Sequence, residues 1–185
     1  MKETIRIALW VGAAALGIAL AAVPASRAEI LARDTDGFEI RQEIVLPTDP
    51  ETLYDTVTGD ISGWWDHHFS QHPRKFYIEP RPGGGFYEIF DDQGNGVLHG
   101  TVTWAERGKR LRFQGPLGLA GYPIQLVVTY DFTAQEGGTR LTVTARAHGQ
   151  VKEGWPEAVD SVWHHFLYEG LAPYLQAGGK KSNRS

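Results

Sequence analysis

Cysteine is absent from the 185-residue sequence. This absence excludes disulfides, thiol nucleophiles, redox pairs and cysteine-based zinc sites. A domain exported to an oxidising compartment would then depend for its stability on its packed core alone. Basic residues are in a slight minority, 18 lysines and arginines against 22 acidic residues, and they are scattered along the chain. We therefore expect no nucleic-acid partner.

Motifs of the common enzyme classes are also missing. No Gly-x-Ser-x-Gly elbow occurs, and the serines near histidines form no triad pattern. The glycine-rich stretches 82–85 and 115–121 are not followed by Lys-Ser or Lys-Thr, so they do not fit a phosphate-binding loop. Asp91 and Asp92 lie together in a predicted turn, which favours solvated carboxylates over a catalytic pair. The sequence thus gives no positive indication of enzyme activity.

The first 28 residues have the pattern of a signal peptide. Lys2 and Arg6 precede the uncharged stretch 7–23, and small residues then suit cleavage before Glu29 or after Ala25. The alternative is an uncleaved membrane anchor, although the apolar run is slightly short for a span of about 20 residues. Either arrangement places the following domain outside the cytoplasm, and we expect a periplasmic or secreted protein. Membrane contact is expected only through an uncleaved segment.

Hydrophobic patterns predict one domain over residues 36–176 and a disordered tail over residues 177–185. Residues 38–47 alternate as a half-buried strand, and a short helix begins near Pro50. Strands with tight turns follow, and a long helix opens at Pro156. This order predicts an α+β fold, in which a curved antiparallel sheet of about six or seven strands wraps around the C-terminal helix.

Four segments of the chain form a series that is specific in combination. They are the opening IVLPTDPETLYDTVT, the hairpin EPRPGGGFYEIF, the strand pair VVTYDFTAQEGGTRLTVTARA and the closing helix GWPEAVDSVWHHFLYEGLAPYL. Together they resemble the START-like, or SRPBCC, superfamily, whose architecture is the helix-grip fold. Within it, the chain is similar to the Hsp90 ATPase activator homologue (AHSA1-like) domain family. The resemblance covers residues 38 to 175 approximately.

Membership of this superfamily implies a hydrophobic cavity between the sheet and the long helix. Relatives bind lipids, sterols, hormones and polyketides; some are cyclases or hydrolases, and some act as co-chaperones. The superfamily has no universal catalytic motif, so no catalytic residue is carried over and function must be argued from the site. Hsp90 is cytosolic, so an exported domain is not expected to regulate it.

The stretch GWWDHHFSQH, residues 63–72, has two interpretations. As a zinc site it offers Asp66, His67, His68 and His72, of which the last two have helical ligand spacing. Neighbouring histidines cannot easily face one ion, however, and Pro73 and Gly63 make a regular helix there improbable on sequence grounds. The interpretation we favour is that the aromatic residues border an apolar cavity. We expect no metal ion and no cofactor.

Aromatic side chains on predicted inward faces are the candidate ligand contacts. Two tryptophans and a phenylalanine of the stretch just described are placed at the cavity entrance, where an indole N–H can meet a partner. The others are placed on the inner face of the sheet or on the closing helix. The full set is Trp64, Trp65, Phe69, Phe86, Trp104, Phe113, Tyr130, Trp163 and Phe166.

Three other histidines, His99, His164 and His165, are predicted to be solvated. At 100° per residue, His165 falls nearly opposite the apolar face of the closing helix, and His164 lies well off its centre. His99 lies on the threonine-bearing face of its strand, which alternation predicts to be exposed. The loop GPLGLAGYP is long for a hairpin connection, and a lid over the cavity and a packed surface loop are equally favoured.

Three hypotheses for function follow. The leading one is a binding module for a small hydrophobic or amphipathic molecule, lipid-like or aromatic. The second is an enzyme that acts on such a molecule through His67, His68 or His72, with or without zinc. The third is a protein-interaction module analogous to the co-chaperone relatives.

Overall fold

An eight-stranded antiparallel sheet, curved around a C-terminal helix, forms the part of the chain that the computed structural model describes, residues 36–179. The predicted signal segment and most of the predicted tail lie outside these residues. Within residues 36–179, no helix has the length and apolar character that a membrane crossing requires. The strands are Asp36–Leu46 (β1), Gly59–Asp60 (β2), Lys75–Ile78 (β3), Gly85–Ile89 (β4), Gly96–Glu106 (β5), Arg110–Gly115 (β6), Ile124–Gln135 (β7) and Gly138–Gly149 (β8).

The strand order is β1-β8-β7-β6-β5-β4-β3-β2, so the first strand pairs with the last and the others form a meander. This arrangement confirms the predicted α+β helix-grip fold. The sequence suggested about six or seven strands. The additional strand, β2, has two residues, too few to produce an alternating pattern.

A short helix, α1, spans Pro50–Thr56 and connects β1 to β2. Asp49 is its N-cap, because its Oδ1 accepts hydrogen bonds from the backbone N–H groups of Glu51 and Thr52, at 3.1 and 2.9 Å. Pro50 occupies the first turn, where its missing N–H costs nothing. Leu53 is completely buried and anchors the helix to the core.

The C-terminal helix covers the concave face of the sheet. It consists of α2 (Trp155–His164), a π-helical segment (His165–Leu171) and α3 (Ala172–Gln176). In the π segment the hydrogen bonds join residues five apart, as from Ala172 N–H to Leu167 O, so side chains leave the helix at other angles than in an α-helix. The buried side chains of the whole C-terminal helix are Trp163, Phe166, Leu167 and Leu171.

Two irregularities in β5 reverse the predicted orientation of its side chains. The register against β4 shifts at His99, and the register against β6 shifts at Thr103. Each extra residue moves the following side chains to the opposite face. One irregularity separates Leu98 from Val102 and the other separates Val102 from Trp104, so Val102 is buried whereas Leu98 and Trp104 face outward with 51% and 44% exposed. His99, at the first irregularity, is buried with 4% of its surface exposed. The predictions of an exposed His99 and an inward Trp104 are both wrong.

Candidate functional site

A cavity of about 370 Å³ lies between the sheet and the C-terminal helix. Its wall is mostly aromatic and aliphatic. The exposed members of this wall, on the segment after the tryptophan pair, on the β6–β7 loop and on α2, form its mouth. The lining residues are Trp65, His67, His68, Phe69, Phe86, His99, Leu117, Gly118, Leu119, Leu126, Trp155, Ala158, Val159, Val162, Trp163 and Phe166.

Five of the nine predicted contact residues line this cavity: Trp65, Phe69, Phe86, Trp163 and Phe166. Three others are buried elsewhere in the core and do not reach it. These are Trp64, Phe113 and Tyr130. The ninth, Trp104, lies on the outer face of the sheet beside the guanidinium groups of Arg110 and Arg112, and is not a cavity residue.

The tryptophan pair fixes one wall of the cavity. The ring of Trp65 stacks on Phe166 with 3.8 Å between centroids and meets Trp163 edge-on at 5.8 Å. Its indole Nε1 donates to the backbone oxygen of His67 at 2.8 Å. Trp64 points away from the cavity and donates to Thr56 O at 3.1 Å, which ties the segment to α1. Trp65 thus lines the cavity, while Trp64 attaches the segment to α1.

A buried carboxylate and imidazole lie at the inner wall. Glu88 on β4 has no exposed surface, and its Oε2 is 2.9 Å from Nε2 of His99 on β5. Oε2 also accepts from Phe69 N–H at 2.9 Å, and Oε1 accepts from Ser70 N–H at 2.6 Å. This carboxylate therefore attaches the segment that bears Phe69 to the sheet. A buried charge requires such pairing, because leaving it unpaired would cost several kcal/mol.

Aromatic rings enclose the imidazole of His99. Phe69 stacks on it at 5.5 Å with 12° between the planes, and Phe76 meets it edge-on at 5.5 Å. Phe86 is tilted against it at 5.0 Å. The ring orientation is thus fixed by packing as well as by the bond to Glu88.

Sequence analysis missed this pair. Glu88 follows Phe86 by two residues on the same strand, and alternation alone puts both on the inward face. A glutamate at a core position was therefore the available signal. His99 could not be found in the same way, because the irregularity in β5 that turns it inward leaves no trace in the alternation.

β6 packs closely against β5 beside His99. A side chain at Gly115 would put its Cβ 2.2 Å from the backbone oxygen of His99 and 2.5 Å from Cα of Gly100. Only glycine allows the two backbones to approach so closely. A side chain at position 115 would therefore have to displace the backbone of β5 beside His99.

The loop between β6 and β7 forms part of the cavity mouth. It contains a 3-10 turn, Leu117–Leu119, and Leu117 has a φ of 49°, which a residue with a side chain adopts only at a cost of about 1–3 kcal/mol. Leu117 and Leu119 both line the cavity. Tyr122 at the end of the loop packs edge-on against Trp155 at 5.2 Å, which attaches the loop to the start of α2. Of the two interpretations of this loop, a lid over the cavity and a packed surface loop, the lid fits this placement.

A polar cluster joins the mouth to the π segment of the C-terminal helix. Asp66 Oδ1 accepts from His67 Nδ1 at 2.8 Å, and Asp66 Oδ2 accepts from His165 Nε2 at 2.8 Å. His165 Nδ1 donates to Glu169 at 3.1 Å. The side chain of His165 is partly exposed, at 30%, and the sequence offered no indication of its contacts with Asp66 and Glu169. His164 is exposed as predicted, stacked on Tyr168.

Protonation is shifted within this cluster. The hydrogen bond with Asp66 raises the pKa of His165 above its usual 6.5, against a smaller opposing effect of burial. Partial burial acts to raise the pKa of Asp66, but the hydrogen bonds from His67 and His165 outweigh it and hold this pKa below its usual 3.8. The geometry thus favours a charged pair.

Asp66, His67 and His165 are also the described residues whose donor atoms could converge on a cation, since these atoms lie within 4.8 Å of one another. Three ligands are the lower limit for zinc. Hydrogen bonds between the three side chains already use several of these atoms. His68 and His72 do not belong to the group; both border a second hollow of about 440 Å³.

Residues 47–176 match the sequence model of a family described as activator of Hsp90 ATPase homolog 1-like protein. The chain belongs to this family. The match covers the chain from the end of β1 to the end of α3, so every residue of the cavity wall lies inside it. No curated protein matches the AHSA1-like chain.

Solved structures share its fold at low sequence identity. An uncharacterised protein from Rhizobium leguminosarum aligns with a TM-score of 0.62 and 15% identity, over 78% of this chain and 97% of that one. Protein CV1439 from Chromobacterium violaceum aligns with a TM-score of 0.54 and 21% identity, over 73% and 94%. DynU16, a protein in the dynemicin biosynthetic locus, gives 0.55 and 21%, over 77% and 48%. At these identities the likeness establishes the fold alone.

Proposed function

We propose that this AHSA1-like protein is an exported module that binds a small hydrophobic or amphipathic molecule, lipid-like or aromatic, between its sheet and its C-terminal helix. The observation that carries the proposal is the cavity of about 370 Å³. Protein cores usually leave few voids larger than a water molecule. This volume lies instead in the range of small-molecule sites, about 300–1,000 Å³.

The chemistry of the wall supports the same proposal. Trp65, Trp155, Trp163 and Phe166 offer aromatic surface, and burial of apolar ligand area against it contributes about 25 cal/mol per Å². The polar groups are few and localised, with the Glu88–His99 pair at the inner wall. Such a distribution suits a ligand with an apolar body and a small polar group.

Export is supported by the sequence of residues 1–28, which lie outside the described residues. An exported domain would not meet cytosolic Hsp90, so we propose that the family name does not describe the task of this protein. The test is the intact mass of the protein recovered from the periplasmic or culture fraction of its host. A chain beginning at Glu29 or Ser26 is expected, and a full-length chain found only in the cytoplasm would contradict export.

Native mass spectrometry of the protein purified from its own host tests ligand binding directly. We expect an added organic mass that disappears on denaturation. The matched variants are Trp163→Ala, which opens the cavity wall, and Trp104→Ala, which removes the same side chain from the outer face. Loss of the added mass in the first variant and its retention in the second would support the cavity. Equal retention in both folded variants would place the ligand elsewhere.

A second candidate is an enzyme that acts on the same kind of molecule. It is favoured by one observation, the Glu88–His99 pair, because a carboxylate that orients an imidazole is a common general-base arrangement. The residues concerned differ from the three histidines that the sequence suggested. The test is whether the purified protein releases two related compounds whose ratio changes during incubation with the protein. A change with the wild type and none with His99→Phe would favour this candidate.

A further inference from the structure

The protonation of the buried pair follows from its hydrogen bonds. Glu88 accepts from two backbone N–H groups, those of Phe69 and Ser70, so both of its oxygens act as hydrogen-bond acceptors. An ionised carboxylate accepts hydrogen bonds and donates none. The proton in the 2.9 Å bond between Glu88 Oε2 and His99 Nε2 therefore belongs to Nε2.

The second ring nitrogen, Nδ1 of His99, has no partner among residues 36–179. No side-chain nitrogen or oxygen in the same residues is both fully buried and without a hydrogen bond. Nδ1 is therefore not sealed in the core, and the cavity is the open space that His99 lines. With the imidazole proton on Nε2, the other ring nitrogen, Nδ1, offers a lone pair there.

The surroundings restrict what can satisfy this lone pair. No lysine or arginine is among the described residues that line the cavity, so a ligand anion would find no fixed cation. It would also approach the negative charge of Glu88, which lies directly behind the imidazole. A neutral hydrogen-bond donor meets neither obstacle.

We propose that Nδ1 of His99 accepts a hydrogen bond from a hydroxyl group of the bound molecule. The ligand class is then a flat apolar compound with a neutral hydroxyl, such as a phenol, whose ring lies among the aromatic walls. This inference rests on the proposed ligand-binding function and narrows it. A site built to pair with a hydroxyl rejects analogues that lack one, because its polar group is then left unpaired.

The test compares related probes on the wild-type protein by equilibrium dialysis. β-Naphthol carries the hydroxyl. Naphthalene lacks the hydroxyl and is smaller, and β-methoxynaphthalene has a methyl group in place of the hydroxyl proton and is larger. The two analogues bracket the naphthol in size, so a steric effect cannot favour the naphthol over both. We expect β-naphthol to bind about tenfold more tightly than either analogue. β-Naphthoate, the anionic probe, is expected to bind more weakly than β-naphthol.

Two variants complete the design. His99→Phe keeps an aromatic ring at this position and removes Nδ1, so the preference for β-naphthol over its two neutral analogues should fall to about twofold or less. Leu119→Ala, on the mouth loop, should weaken all probes by similar factors and keep the preference. If His99→Phe does not fold, the probe series on the wild type still decides.

The outcomes separate the inference from the function on which it rests. Equal affinity for all neutral probes would keep the cavity and overturn the role of His99. Tightest binding of β-naphthoate or of β-methoxynaphthalene would also overturn it, since either shows that Nδ1 does not select a neutral donor. Failure of every probe to bind would count against the ligand-binding function and would remove the inference with it.

Discussion

His165 and Asp66 connect the C-terminal helix to the segment that follows the tryptophan pair. His165 Nε2 lies 2.8 Å from Asp66 Oδ2, while Nδ1 of the same ring lies 3.1 Å from Glu169 Oε2. Carboxylates accept hydrogen bonds, so both contacts are hydrogen bonds together only when the imidazole carries two protons. The cluster lies beside the cavity mouth through His67, which contacts both His165 and the cavity.

Stability should therefore depend on pH through this pair. The pKa of His165 is raised, so its contribution is complete below about pH 6.5 and is lost as the pH rises through the raised value. The pKa of Asp66 is lowered, so its contribution is present above about pH 3.8 and is lost as the pH falls through the lowered value. The pair should stabilise the fold most between about pH 4 and 6.5.

The measurement is urea unfolding of the wild type and of Asp66→Asn across this range. We expect a difference of less than about 1 kcal/mol near pH 5.5, since Asp66 is largely exposed, and a smaller difference above pH 8. His164→Gln is the control, because its ring stacks on Tyr168 and does not touch Asp66. A difference independent of pH would contradict the charged pair.

Trp163 and Trp104 should respond very differently to truncation. Trp163 is buried against Trp65, Tyr130 and Phe166, so Trp163→Ala should cost about 3–5 kcal/mol of unfolding free energy. Trp104→Ala removes an exposed ring from the outer face and should cost less than about 1 kcal/mol. Chemical denaturation of both variants checks the prediction, and similar losses would contradict the orientation of β5.

The fold was predictable because its signals are local and repeated. Pro50 at the start of α1, the alternation of β1, β7 and β8, and the apolar face that includes Trp163 and Phe166 each indicate the observed element. The two irregularities in β5 were not predictable, because a single extra residue leaves composition unchanged and reverses every orientation after it. This accounts for the errors at His99 and Trp104.

The site was predictable only in its apolar part. An inward aromatic side chain is expected from periodicity, and five of the nine candidates do line the cavity. The Glu88–His99 pair needs two strands in register, and the Asp66–His165 pair joins residues 99 apart. Contacts of this kind depend on tertiary structure, which the local pattern of residues does not reveal.

Glu88 should hold the segment after the tryptophan pair on the sheet. Glu88→Leu removes the acceptor of Phe69 N–H and Ser70 N–H and leaves His99 Nε2 without a partner. Breaking such a buried pair should cost about 3–5 kcal/mol. Glu88→Gln retains an acceptor of the same shape and should cost less.

Amide hydrogen exchange locates the effect of these substitutions. In Glu88→Leu, the amides of Phe69 and Ser70 should exchange much faster than in the wild type, while those of β7 and β8 change only with global stability. Uniform acceleration across the sheet would show that Glu88 stabilises the fold as a whole and does not act as a local attachment.

Gly115 should be intolerant of even one added carbon atom. In Gly115→Ala the new Cβ would lie 2.2 Å from His99 O, so β6 must move away from β5, at a cost of about 1–3 kcal/mol. Gly118→Ala is the matched control, because no atom lies within 4 Å of its Cβ and the cost should be within about 0.5 kcal/mol. Denaturant midpoints compare the two. His99 lies where β5 and β6 would be forced apart, so Gly115→Ala should also weaken the binding of β-naphthol more than that of naphthalene. Equal weakening of both would show that the strand contact does not control the orientation of the imidazole.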